Sequence, residues 1–192
     1  MPAPRTALSV LALGASALLG WGCGNDRTLP PDVMTPGPPL GSNTQSYDPA
    51  GLEFKAPAGW NVQPGEPPLV TTIATGQAAV SIFRYPRTEP LPATPTALDA
   101  AAAALVDAAR TRDPTFVEIK RARLRVDGRP AVVVRGTETV AGQPRTVRST
   151  HIYAFGGEVV VDAIAPAEDF KRVDAEVFRP LVRSLRIRAP RP

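Results

Sequence analysis

From Phe116 to Ile164 the chain alternates apolar runs with turn residues three times in succession, at Asp127-Gly128, at Ala141-Gly142-Gln143-Pro144 and at Gly156-Gly157. A short turn leaves the strand after it no partner but the strand before it, so each turn closes a hairpin. Four strands in hairpin order make an antiparallel meander, and the rest of the fold has to be arranged around it. Within the first strand the apolar parity changes, from Val117 and Ile119 to Ala122, Leu124 and Val126. One extra residue accounts for that change, so a β-bulge is expected near Lys120 or Arg121. Gly136 marks a second expected irregularity.

Upstream, Leu52 and Phe54 alternate with Glu53 and Lys55, a half-buried strand that runs into the turn residues Pro57, Gly59 and Pro64. Trp60 in that turn is expected to plug the edge of the core. Leu69 to Ala74 and Ala79 to Tyr85 form a further hairpin around Thr75-Gly76-Gln77. After Pro90, Pro92 and Pro95, Thr96 and Asp99 have the spacing of an acidic capping box, which opens an alanine-rich helix over 97–112. Its stripe of Leu98, Ala101, Leu105 and Ala109, with Val106 beside it, should lie on a sheet. Beyond Pro166 the residues Phe170, Val173, Val177, Leu181 and Leu185 recur at helical spacing, and Pro180 among them predicts a kink or two short helices. The expected fold class is therefore α+β: an antiparallel β-sheet of about six to seven strands in hairpin order, with helices packed on its faces.

The N-terminus has different chemistry. One charge, Arg5, precedes an apolar run from Ala7 to Leu19 that ends in small residues before Cys23. A helix needs roughly 20 apolar residues to span a bilayer, so this shorter run has the anatomy of a signal peptide, residues 1–22. The stretch LLGWGC resembles a bacterial lipobox. That resemblance implies that Cys23 is diacylated and becomes the mature N-terminus, which places the protein on the extracytoplasmic side of a cell membrane, held by lipid. The other reading of the same residues is a secretory peptide cut elsewhere. Cys23 is the only cysteine in 192 residues, so no intrachain disulfide forms. Residues 23–46 carry five prolines and few apolar side chains and are expected to be a disordered tether, with residues 47–188 as a single domain and 189–192 as a tail. Removal of residues 1–22, whose only charge is Arg5, lowers the formal net charge from +4 to +3.

The segment 47–187 resembles the PsbP-like superfamily. The resemblance rests on the opening LEFKAPAGW, the alanine-rich helix after the first hairpin, the VDGRPAVVV hairpin, the IYAFGGEVVVDAIAP pair and the closing VFRPLVRSLRI helix. It implies an antiparallel sheet with helices on its faces, serving as an accessory or binding module without catalysis.

The residue inventory excludes most catalytic classes. There is one histidine, and it is on a strand face with Val147, Ser149, Tyr153 and Phe155. A serine triad would have to recruit His151, and a packed or partly exposed histidine is the expected reading. No Cys/His metal spacing and no glycine-rich phosphate loop occurs, so neither metal nor cofactor is expected. Glu168-Asp169, the only adjacent acidic pair, stands at the start of a helix, where acidic residues favour the helix dipole. The alternative function it leaves open is an envelope hydrolase using these carboxylates; a structural spacer is another. Between Lys120 and Arg148 there are eight basic residues against two acidic ones. Arg121, Arg123 and Arg125 share a strand face, and hairpin pairing was the route by which Arg135 or Arg148 would join them. These five are the candidate site for an anionic lipid, a polyanion or an acidic envelope protein; a solvated charged edge is the competing reading. Nucleic acid is excluded as a partner by export and by the lack of aromatic residues between the arginines. The expected function is that of an exported, lipid-anchored, non-enzymatic binding domain at the bacterial cell envelope.

Overall fold

In chain order the computed structural model, which describes residues 40–191, contains β1 (Leu40–Tyr47), β2 (Leu52–Pro57), β3 (Asn61–Pro64), β4 (Leu69–Thr75), β5 (Ala78–Pro86), α1 (Pro95–Arg112), β6 (Val117–Val126), β7 (Arg129–Val140), β8 (Gln143–Ala154), β9 (Gly157–Pro166), α2 (Phe170–Val173), α3 (Arg179–Ser184) and β10 (Arg186–Ile187). The expected signal peptide, Cys23 and the tether up to residue 39 lie outside the described residues.

The meander forms as expected, as the β9-β8-β7-β6 half of a seven-stranded antiparallel sheet whose full order is β3-β4-β5-β9-β8-β7-β6. Its turns are tighter than the sequence reading. Asp127-Gly128, Ala141-Gly142 and Phe155-Gly156 each have positive φ at both residues, the two-residue turn whose twist matches that of paired strands. The third turn therefore falls one residue before Gly156-Gly157, and the second needs neither Gln143 nor Pro144. The bulge also falls slightly early: the β6–β7 register shifts between Glu118 and Lys120. The short edge strand β3 is a further addition, where Pro64 is tolerated because it ends an edge strand.

Three more strands, in the order β1-β2-β10, form a second antiparallel sheet. This corrects the expected tether, since residues 40–46 belong to β1 and pair with β2 from Leu40↔Pro57 to Tyr47↔Leu52. The polar run Gly41 to Ser46 lacks the apolar alternation that identifies a strand; the backbone ladder orders it, and Tyr47 pins its end. The Tyr47 ring stacks on Phe54 at 5.9 Å, and its hydroxyl donates to Thr71 Oγ1 at 3.0 Å.

The main core lies between that second sheet, the C-terminal helical run and one face of the large sheet. Phe54, Ile73, Ile82, Val161, Val177, Phe178 and Leu181 are almost entirely buried there. Each such side chain contributes about 1.5–3 kcal/mol by leaving water. Trp60 meets Phe178 edge-on at 6.4 Å, as a plug at the core's margin. Pro180 does interrupt the helical run. It has no N–H to donate and crowds the carbonyl four residues back, and the chain widens into a π turn over Asp174–Phe178. The Arg179 N–H bonds to the carbonyl of Asp174, and α3 resumes with Leu181 and Val182 still buried.

Helix α1 lies on the opposite face of the large sheet, against β6 and β7. Its N-cap is Thr94, whose hydroxyl accepts from the Ala97 N–H at 3.2 Å, two residues before the expected Thr96. Asp99 reaches Arg123 on β6 instead. The buried stripe is Leu98, Ala102, Val106 and Ala109, with Ala101 and Leu105 at its margin. Among the described residues no helix is long and apolar enough to cross a membrane.

Candidate functional site

The Phe155-Gly156 turn fixes what faces what across the β8–β9 hairpin. It sets Ser149 opposite Asp162 and His151 opposite Val160, all on the α1 face of the sheet. Helix α1 covers β6, β7 and the Tyr153 end of β8 on that face. Where it stops, a cleft of about 320 Å³ opens, with Leu105, Phe116, Val147 and Ile164 in its walls. Ser149, His151 and Asp162 line it, and Tyr85, Arg112 and Glu138 complete the lining.

These polar groups form a chain. Ser149 Oγ donates to Asp162 Oδ1 and lies 2.7 Å from His151 Nε2. His151 Nδ1 lies 2.7 Å from Glu158 Oε1, and Glu158 Oε2 is 3.0 Å from Arg87 Nη2. A hydroxyl has one proton. With that proton given to Asp162, Ser149 Oγ turns its lone pairs to Nε2, while Nδ1 faces the Glu158 carboxylate. A hydrolytic relay needs the reverse direction, with the serine proton moving to a histidine nitrogen that has a free lone pair.

Burial of Glu158 pushes its carboxyl up, but the hydrogen bond and charge of His151, with Arg87, outweigh burial and leave it below its ordinary value. Burial pushes the neighbouring Tyr153 hydroxyl up to about 12, with the Glu158 charge adding to the shift. Burial, then the charge of Asp113, raises the carboxyl of Glu138. Among the described residues neither Glu138 nor Asp162 has an ion-pair partner, whereas the other carboxylates of limited exposure, Glu53, Glu118, Glu158, Asp169 and Asp174, each meet an arginine; Asp113, held by Thr115, is the exception. The cleft therefore presents apolar walls, a hydroxyl and two carboxylates without an ion-pair partner, with Arg112 in the same lining.

The five arginines of the sequence reading do not form one cluster. Arg121, Arg123 and Arg125 do share the α1 face of β6, but Arg123 pairs with Asp99 at 3.2 Å, Arg121 with Glu118 at 3.6 Å, and Arg125 donates to the Gly128 carbonyl at 2.8 Å. Arg135 and Arg148 stand opposite one another in β7 and β8 on the other face of the sheet, against the C-terminal helical run. The parity of β7 decides this, because Val132 and Val134 occupy the α1 face and leave Arg135 the reverse one. Glu168 and Asp169 also diverge: Glu168 is exposed, while Asp169 is buried and meets Arg172 at 3.3 Å. His151 is packed, as expected, but Glu158 and Asp162 as its companions were missed. The signal that reveals them is the turn, since moving the hairpin by one residue at Phe155-Gly156 changes every partner. Among the described residues no group of His, Cys, Asp and Glu is arranged to hold a metal ion.

No protein-family model matches this sequence, and no curated relative matches it. Solved structures do match in fold. Cyanobacterial PsbP (CyanoP) from Synechocystis superposes with a TM-score of 0.60 at 14% identity, over 76% of this chain and 92% of that one. LpqN of Mycobacterium tuberculosis, a protein involved in cell envelope biogenesis, superposes with a TM-score of 0.56 at 15% identity, over 76% of this chain and 89% of that one. The fold of this chain is PsbP-like.

Proposed function

We propose that this protein is an exported accessory domain of the bacterial cell envelope, anchored by an acylated Cys23, that holds a small amphipathic ligand in the cleft beside α1 without transforming it. The observation that carries this reading is the Asp162–Ser149–His151–Glu158 chain. It brings three residues of a hydrolytic type together, yet turns the serine proton away from the histidine, so the groups act as hydrogen-bonding and charged fixtures for a ligand. Apolar walls suit a hydrocarbon or aromatic body, and the unpaired Glu138 and Asp162 suit a hydroxyl or ammonium head. Two acyl chains on Cys23 hold a protein to a bilayer where one is marginal, since each buried methylene contributes about 0.8 kcal/mol. The likeness to an envelope-biogenesis protein supports the compartment, and the separation of Glu168 from Asp169 counts against the carboxylate hydrolase.

Native mass spectrometry of the full chain, purified from its own membranes, tests both halves. The expected species begins at acylated Cys23 and carries a small molecule that Ala108→Trp, which fills the cleft from α1, fails to retain. A mature chain without acyl groups overturns the anchor, and a ligand that Ala108→Trp keeps overturns the cleft.

A further inference from the structure

On the face of the sheet away from α1, the guanidinium groups of Arg148 and Arg179 share a single carboxylate, and that of Arg135 stands beside them. Arg135 and Arg148 are direct cross-strand neighbours, an arrangement that like charges disfavour. The Arg135 guanidinium lies over the Phe170 ring at 5.3 Å. Asp174, itself buried, accepts from Arg148 at 3.3 Å and stands 3.3 Å from Arg179 Nε. Burial pulls Arg148 below its ordinary value; Asp174 offsets this, while Arg135 and Arg179 add to it. Arg148 Nε is buried and has no hydrogen-bond partner among the described residues. One carboxylate does not balance this positive charge, and an unbalanced buried charge is costly.

Beside these residues a groove of about 300 Å³ runs between the end of β6 and α3, lined by Arg148, Arg179 and Arg183 with Asp127; the Arg125 guanidinium is on the other face of β6, bonded to the Gly128 carbonyl. Asp127 is already engaged: it accepts the Ile187 N–H at 2.9 Å and lies 4.0 Å from Arg186. Arg183 is exposed and has no acidic partner among the described residues. The three arginines come from β8, the start of α3 and its last turn, so they approach the groove from different sides. A planar carboxylate offers its two oxygens to one or two such forks, whereas a tetrahedral phosphate accepts from several directions at once, bidentately where the geometry allows. Low-dielectric walls concentrate the field of the three charges within the groove.

We propose that this groove binds a phosphate group, as a monoester or diester, through Arg148, Arg179 and Arg183. Of the arginines expected to meet an anion, it keeps Arg148 and adds Arg179 and Arg183, which the strand pattern did not reveal. The phosphate belongs either to a soluble ester or to a lipid headgroup, and one experiment separates the two. The full chain is titrated calorimetrically at low salt with inorganic phosphate and with glycerol 1-phosphate, and is sedimented with vesicles of phosphatidylcholine alone or mixed with an equal part of phosphatidylglycerol. Vesicle binding is read as the gain of the mixed over the neutral vesicles, so that the contribution of the N-terminal segment cancels. Saturable binding is expected, weakened about tenfold by Arg183→Gln or Arg179→Gln, each the loss of one charge-assisted contact. Asp127→Asn is expected to tighten it. Binding of the esters alone assigns a soluble ligand; a gain on the phosphatidylglycerol vesicles that the same variants abolish assigns a headgroup. Arg183 is exposed and supports no core contact, so its variant folds. No saturable binding in either arm, or binding unchanged in both Arg→Gln variants, overturns the proposal.

Discussion

His151 and Glu158 meet diagonally across the β8–β9 hairpin, with Nδ1 2.7 Å from Oε1, while the register sets them against Val160 and Tyr153 respectively. Diagonal neighbours lie within reach of long side chains, and the contact makes the hairpin's stability depend on pH. The Glu158 carboxyl lies below its ordinary value in the folded chain, against burial, because His151 and Arg87 favour its charged form. The unfolded chain therefore takes up the proton first. The stabilisation is present above the unfolded carboxylate range near 4.3 and is lost as pH falls through the folded value. Glu158→Gln is expected to cost about 1–3 kcal/mol at neutral pH, with the gap to the parent closing in acid. Denaturant midpoints of both proteins from neutral to about pH 3 measure this; a constant gap across that range would refute it.

A second relationship concerns Gly136. A Cβ placed there would collide with the Phe116 ring and stand 2.8 Å from the Val117 carbonyl, just where the bulge shifts the β6–β7 register. Gly136→Ala forces the backbone of β6 outward and is expected to cost about 1–3 kcal/mol. In a Phe116→Leu background the cost should shrink, and the coupling from the four thermal melts would show it. A strictly additive pair rules out the ring as the cause.

How far the fold was legible depended on which interactions decide each part. The meander, the β4–β5 hairpin, α1 and the proline interruption at Pro180 follow from local pattern, which the residues carry openly. Strand β1 was not legible, because its polar side chains give no alternation and only the ladder to β2 orders it. The candidate site was less legible still. Ser149 and His151 lie two apart on one face and are visible as such, but Glu158 and Asp162 join them only through a register that one residue of turn placement controls. The arginines were misplaced for a related reason: alternation along β6 and β7 sends Arg123 and Arg135 to opposite faces, whatever their closeness in sequence.

Tyr153 provides an alkaline counterpart to Glu158. It packs with Leu98, Ala102 and Val132 under α1, and burial, with the charge of Glu158, pushes its hydroxyl up to about 12. A raised phenol is neutral in the fold while the unfolded chain ionises near 10, so its contribution is complete below about pH 10 and disappears as pH approaches the folded value. The parent is expected to lose on the order of 2 kcal/mol more than Tyr153→Phe between these limits. Urea midpoints of the two proteins in that window should diverge. Parallel curves would mean that Tyr153 ionises in the native state without cost.

Glu138 should behave with the opposite sign to Glu158, although both are glutamates facing α1. Burial, then Asp113, raises its carboxyl, and the smaller opposing effect of Arg112 does not restore it. Its folded form holds the proton more tightly than the unfolded form does. The favourable contribution is therefore complete in acid and is lost as pH rises through the folded value, so at neutral pH the ionised side chain works against the fold. Glu138→Gln is expected to stabilise the protein at neutral pH by less than about 1 kcal/mol, since the carboxyl is partly exposed and water screens it. In acid the variant and the parent should coincide. The same substitution removes one of the two unpaired carboxylates of the cleft, so a cationic ligand held there is retained less well by the more stable protein. Thermal melts at acid and neutral pH, beside native mass spectrometry of the same samples, separate the two effects. A variant that loses stability at neutral pH would show that the charge of Glu138 is already balanced within the fold.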